Sequence, residues 1–162
     1  MRQSAETNHA PAFFRPYRES DRETCLQLFD ANCPAFFAPN ERGDYEQFLD
    51  AAIDRYQLCL VDGHIVGAYG VYPDGPDRLA LRWIVLSPQV QGKGLGTAMM
   101  TRIVAELRQV EGARLRISAS HKSAPFFARF GARERKRIPD GWGPGMHRVE
   151  MELVEPWARP SA

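Results

Sequence analysis

The stretch Gln91-Gly92-Lys93-Gly94-Leu95-Gly96-Thr97 constrains this chain more than any other. It stands between an apolar, branched run, Leu79 to Leu86, and a run in which Leu95, Met99, Ile103 and Leu107 recur at helical spacing. The first run reads as a strand and the second as a helix over Leu95 to Val110. Glycine admits backbone conformations closed to other residues and lets a ligand come close. The first amides of a helix have no internal partner and lie at the positive end of its dipole. A strand, a glycine turn and a helix together therefore form an anion site, and pyrophosphate is its usual biological ligand. The turn is not a P-loop, because no G-x-x-x-x-G-K-[ST] occurs. It also departs from G-x-G-x-x-G, because the third glycine comes one residue early. Glu111 follows Gly92 by about 20 residues, but at the end of the helix, so a dinucleotide fold is a weak alternative.

The remaining elements read outward from that unit. Phe13 to Arg18 reads as a strand. Ser20-Asp21-Arg22-Glu23 has the capping-box pattern and opens a helix over about 21 to 32, which Pro34 ends. Asp44 to Arg55 reads as a second helix with Phe48, Leu49 and Ala52 inward. Tyr56 to Val61 and Ile65 to Tyr72 flank Asp62-Gly63-His64 and predict a hairpin. After the long helix come a strand over Ala113 to Ala119 and a short helix over Ser123 to Phe130, which Gly131 ends. Strands over Ala132 to Ile138 and Val149 to Val154 close the chain. The order β-α-α-β-β-β-α-β-α-β-β predicts an α/β mixed sheet in which antiparallel hairpins meet βα units.

The chain has 162 residues, 44% of them apolar and 25% charged, which suits one soluble domain over 11–155 between tails at 1–10 and 156–162. No apolar run approaches the roughly 20 residues of a membrane span, and polar Met1 to Ala10 predicts no signal peptide. Cys25, Cys33 and Cys59 are an odd count without C-x-x-C spacing, so neither a disulfide framework nor a metal site is expected, and the cytoplasm is the expected location. The net charge of +1 divides into −7 over residues 1–77 and +8 over 78–162. Such a split can serve a cationic and an anionic ligand, or it can average out in space.

Gln91-Gly92-Lys93-Gly94-Leu95-Gly96 resembles the Q/R-x-x-G-x-G/A signature of the GCN5-related N-acetyltransferases, the GNAT family. The element order from about Phe13 to Val154 resembles that family as well. The resemblance implies a sheet splayed between its fourth and fifth strands, with acetyl-CoA wedged in the opening. Backbone at Ile84, Val85 and Leu86 is then expected to pair with the pantetheine arm, and the amides from Gln91 to Thr97 (Gln91, Gly92, Lys93, Gly94, Leu95, Gly96, Thr97) to hold the pyrophosphate. Ser120 to Ala132 is similar to the family stretch N-x-x-A-x-x-F-Y-x-x-x-G-F. Ser120 stands at its Asn and Phe127 at its Tyr. A phenyl ring carries no proton, so Phe127 cannot donate one to a departing thiolate. Phe126 and Phe127 are expected to flank the cofactor or to pack in the core.

The implied chemistry is acetyl transfer from acetyl-CoA to a primary amine of a small molecule or peptide, by direct transfer in a ternary complex. It requires a deprotonated amine, a polarised carbonyl, alignment and a stabilised thiolate. The Leu79 to Leu86 strand carries no carboxylate to act as base. His121 is the nearest titratable candidate for a catalytic role, and Ser120 is an alternative donor. Asp44, in a segment with Glu41, Glu46, Asp50 and Asp54, is expected to draw in a cationic acceptor, with Tyr69, Tyr72, Trp142 and Met146 lining the groove. Two other functions compete: a GNAT-like domain that binds acyl-CoA as a sensor or scaffold, and acetylation of aminoacyl-tRNA. The basic run Arg133 to Arg137 would serve the latter, but no aromatic interleaves to stack bases, and nucleic acid is not an expected partner. The family's habit of pairing terminal strands leaves a homodimer open.

Overall fold

The computed structural model describes residues 11–51 and 54–154. In chain order it contains β1 (Phe13–Pro16), α1 (Arg22–Ala31), α2 (Arg42–Asp50), β2 (Tyr56–Val61), β3 (His64–Pro73), β4 (Arg78–Leu86), α3 (Leu95–Leu107), β5 (Arg114–Ser120), α4 (Ala124–Ala128), β6 (Arg133–Gly143) and β7 (Met146–Val154). The strands form one sheet in the order β1-β2-β3-β4-β5-β7-β6. Every neighbouring pair is antiparallel except β4 and β5, which α3 connects as a crossover. This is the α/β mixed sheet that the element order predicts. At the β2–β3 hairpin Asp62 and Gly63 have φ of 52° and 76°, the left-handed pair that a two-residue turn requires.

Helices cover both faces. Cys25, Leu26 and Phe29 of α1 and Tyr45 and Leu49 of α2 pack on Tyr56, Leu58, Ala68 and Val85. On the other face Met99, Ile103 and Leu107 of α3 and Phe127 of α4 pack on Leu81, Leu115, Ile117 and Val149. These are the inward positions that helical spacing and strand alternation select.

Strands β4 and β5 stay paired only from Arg78 opposite Arg114 to Leu81 opposite Ile117. Beyond that point β4 pairs with β3 alone and β5 with β7 alone, so the sheet splays. A bulge lies where the separation starts. On the β3 side the register passes from Gly70 opposite Arg82 to Ala68 opposite Val85, leaving Trp83 and Ile84 against Tyr69. Trp83 has φ of 48°, a left-handed conformation that costs an aromatic residue energy and must be held by its surroundings. The Tyr56 hydroxyl donates to the Trp83 carbonyl at 2.6 Å and lies 2.8 Å from the Tyr45 hydroxyl. The Trp83 ring packs on Tyr45 with centroids 4.8 Å apart.

Several element ends differ from the sequence reading. The first strand stops at Pro16, and Glu19–Asp21 forms a 3-10 turn before α1. The reciprocal bond at that corner is not made by Ser20 and Glu23; Asp21 accepts from the Arg18 amide at 2.8 Å and from Arg15 at 2.8 Å. Helix α2 starts and ends earlier than Asp44 to Arg55, because a 3-10 turn over Pro39–Glu41 leads into it and Ala51 is extended. Ala52 lies outside the described residues. Helix α3 ends at Leu107, after which Gln109 and Val110 make tight turn bonds. The last two strands reach further than Ile138 and Val149, so the Gly141 to Met146 segment is the tip of the β6–β7 hairpin. Its turn is closed by the Gly145 amide donating to Asp140 at 2.7 Å.

Candidate active site

The cleft opened by the splay has a volume of about 1280 Å³ and runs from the glycine turn, between β4 and β5, to α2 and Trp142. Its first wall is open backbone. Ile84, Val85 and Leu86 border it and have no strand partner on the β5 side. The Leu86 carbonyl accepts from the Asn32 amide group at 3.0 Å, which ties the end of β4 to the end of α1. Asn32 also donates to the Leu28 carbonyl at 2.8 Å, and Gln91 reaches both Asn32 and the Leu86 carbonyl at 3.4 Å. Gln91 therefore braces this corner with its side chain.

The glycine turn lies at one end. Gly92 and Gly94 both have φ of 81°, and a Cβ at either would meet nothing within 4 Å. Their conformation demands glycine, and the space beside them is free for a ligand. Helix α3 makes its first bond from Ala98 to the Gly94 carbonyl at 3.0 Å. The amides of Leu95, Gly96 and Thr97 precede it and are left for an anion. Gly96 has a different reason to be glycine: a Cβ there would lie 3.0 Å from the Phe126 ring of α4. Lys122 and Arg129 also border the cleft. These features fit a pyrophosphate with a linear arm running along β4.

Ser120 forms part of the floor. It is buried, and its hydroxyl accepts from the Ser123 amide at 3.1 Å and lies 3.1 Å from the Ser123 hydroxyl. Phe126 and Phe127 border the cleft, and Phe127 also belongs to the core under α3. Leu95 is buried, so only its backbone is available at the turn, and the Lys93 side chain does not border the cleft. Asp44 and Trp142 border the far end. The Trp142 indole donates to the Ala119 carbonyl at 2.9 Å, and its own carbonyl accepts from Asn40 at 2.7 Å, so it bridges β5 and the segment before α2.

Four expected site residues lie elsewhere. His121 does not border the cleft. Its Nδ1 accepts from the His147 amide at 3.1 Å, so a proton on that nitrogen would break the bond, and the ring sits 4.6 Å from the His147 ring. Tyr69 and Tyr72 are three residues apart, and strand alternation sends them to opposite faces. Tyr69 is buried against α3, where Arg102 donates to its hydroxyl at 3.0 Å. Tyr72 packs on Phe48, 5.9 Å between centroids, with its hydroxyl buried and without a partner among the described residues. Met146 is buried at the start of β7.

Two residues escaped the sequence reading of the site. Asn32 is the last residue of the helix read over about 21 to 32, and nothing in the sequence sets it apart. Glu41 stood among five acids with nothing to separate it. In the structure Glu46 and Asp50 pair with Arg42 and Arg22 at 2.8 and 2.6 Å. Glu41 is instead buried, borders the cleft and accepts from the Ala38 amide at 2.7 Å. Burial, followed by the charge of Asp44, pushes its carboxyl up to about 7 despite the Ala38 bond. The basic run also differs from expectation. A bulge at Arg135 breaks the alternation of Arg133, Arg135 and Arg137, and the last two pair with Glu152 and Glu134 at 3.2 and 2.7 Å.

The fold is shared with solved acetyltransferases. A protein from Desulfovibrio desulfuricans assigned to the GNAT family superposes with a TM-score of 0.70 at 23% identity, covering 89% of this chain and 99% of its own. The ribosomal-protein-S18-alanine N-acetyltransferase of Escherichia coli gives 0.71 at 16% identity, covering 94% and 99%. Rv2747 of Mycobacterium tuberculosis, solved in complex with CoA, gives 0.66 at 18% identity, covering 88% and 98%. Residues 25–132, which include both β4 and the glycine turn, match the model of the acetyltransferase (GNAT) family, and the chain belongs to that family.

Proposed function

We propose that this protein is an N-acetyltransferase that moves an acetyl group from acetyl-CoA to a primary amine of a small molecule or peptide. The observation that carries this reading is the conjunction at one cleft of an open β4 edge and a turn of unpartnered amides. Amides at Gly94 to Thr97 would hold the pyrophosphate, with Lys122 and Arg129 adding charge nearby. The pantetheine arm would add to β4 at Ile84 to Leu86 as a strand does. That places the thioester toward Val85, where a backbone amide can polarise its carbonyl. Transfer is direct, between donor and amine held together in the cleft. Ser120, one of the hydroxyls that border the cleft, serves as proton donor to the departing thiolate. Asp44 draws the acceptor ammonium to the other end. Three free cysteines fit a reducing compartment, and we place the protein in the cytoplasm. No helix among the described residues is long and apolar enough to cross a membrane.

The test is calorimetric titration with acetyl-CoA of the wild type, Gly94→Asn and Gly94→Asp. Asn and Asp tolerate the left-handed conformation better than other residues do, so both variants should fold. Asn adds bulk, and Asp adds bulk and a negative charge. Binding should weaken in Gly94→Asn and vanish in Gly94→Asp. Equal affinity in all three would overturn the placement of the pyrophosphate. No binding by the wild type would overturn the function.

A further inference from the structure

Glu41 is the one carboxylate of the acidic segment that is buried and yet borders the cleft. It sits at the end of the Pro39–Glu41 turn, on the segment joining α1 to α2. That segment is anchored at the splay point: Phe37 stacks on Phe29, 4.9 Å between centroids, and lies 6.1 Å from the Trp83 ring at the β4 bulge. The opposite side is closed by the β6 tip, through Asn40 and the Trp142 carbonyl. One oxygen, Oε2, accepts from the Ala38 amide. No arginine, lysine or histidine lies within ion-pair distance of the carboxylate among the described residues. The titratable groups around it are Asp44 on α2 and the neutral Cys33 thiol after α1, with Arg42 turned to Asp30 and Glu46. The β6 tip contributes Trp142 and Gly143, which carry no charge. A buried carboxylate with a single amide partner and no cation is a poor structural anchor, but it is well suited to accept a proton.

We propose that Glu41 is the general base of this enzyme, taking the proton from the acceptor ammonium before acetyl transfer. The proposal rests on the acetyltransferase reading above. The ammonium gives one proton to the free oxygen of Glu41 and becomes an amine with a lone pair. Its nitrogen forms the new N–C bond to the acetyl carbonyl as the C–S bond breaks. The second nitrogen proton ends on the CoA sulfur, and Glu41 releases the first to solvent. Acetyl-CoA and an ammonium thus become an N-acetyl amide, CoA thiol and one proton. Asp44, at the same end of the cleft, keeps the ammonium near and makes Glu41 a better proton acceptor.

Glutamine at position 41 can still accept from the Ala38 amide but cannot take a proton, so E41Q separates the capping role from the catalytic one. Acetylation of spermidine, tyramine and a tetrapeptide with a free N-terminal alanine would be followed by thiol release from pH 5 to 9. For the fastest of these, wild-type kcat should rise with pH through a midpoint of about 7. E41Q should bind acetyl-CoA as the wild type does, lose kcat by about 100-fold or more, and lose that limb. An E41Q variant with wild-type kcat and the limb intact would overturn the role of Glu41 and leave the acetyltransferase standing. No turnover of any amine by a wild type that binds acetyl-CoA would remove the acetyltransferase reading, and this role with it. A carboxyl 13C titration of protein labelled at glutamate, with the Glu41 signal identified by its disappearance in E41D, gives a readout independent of turnover. A Glu41 signal titrating in the ordinary carboxylate range would also overturn the proposal.

Discussion

At the scale of single residues, burial separates side chains that the sequence presents as equals. Glu41, Asp44, Glu46, Asp50 and Asp54 read as one acidic face. Two of them are spent on arginines and only Glu41 is buried. Folding raises its carboxyl from 4.5 to about 7. A group whose folded value is raised favours the fold while protonated, and that contribution is lost as pH climbs from the unfolded value through the folded one. The shift from 4.5 to about 7 amounts to about 3 kcal/mol at pH 8, at about 1.4 kcal/mol per unit. E41Q should therefore have a higher Tm than the wild type at pH 8, with the gain shrinking to nothing near pH 4. Paired thermal melts at the two pH values check this; a lower Tm at pH 8 would mean that ionised Glu41 stabilises the fold. No feature of the sequence marks Glu41, because burial is set by packing of the α1–α2 connection against the sheet.

At the scale of elements, β4 shows what pattern reading captures and what it misses. Its apolar, branched composition announces a strand, but a bulge leaves no clear signature in a run such as Leu-Ala-Leu-Arg-Trp-Ile-Val-Leu. The left-handed Trp83 is held by partners on α2 and β2, Tyr45 and Tyr56, which are distant in sequence. Tyr56→Phe should keep the ring packing and leave the Trp83 carbonyl short of its donor. The expected cost is about 1–3 kcal/mol, the usual range for an orphaned buried group, read from urea unfolding. A loss of acetyl-CoA affinity should accompany it, because the bulge sets the course of Ile84 to Leu86. An unchanged midpoint and affinity would mean that packing alone holds the bulge. Period-two alternation separates Tyr69 from Tyr72, and the structure places them on opposite faces of β3. The place of His121 is set by a contact with β7, whose His147 amide donates to it.

At the scale of the whole molecule, the cleft is walled by parts remote in the chain, and Asn40 with Trp142 joins two of them. Asn40→Ala should loosen the acceptor end only. We expect KM for the amine to rise several-fold with acetyl-CoA affinity unchanged, and steady-state kinetics with calorimetry would read both; a matching loss of acetyl-CoA affinity would show that the two ends are one rigid unit. The sequence by itself determined the order of the elements, the glycine turn and the helix start with its unpartnered amides. Each of these is local: hydrophobic period, positive-φ demand at Gly92 and Gly94, and the orphan amides of a helix beginning. Tertiary structure decided the rest. Where β4 parts from β5, which acid is buried, and which aromatic faces the cleft all depend on contacts between residues tens of positions apart, and no local pattern encodes such distances.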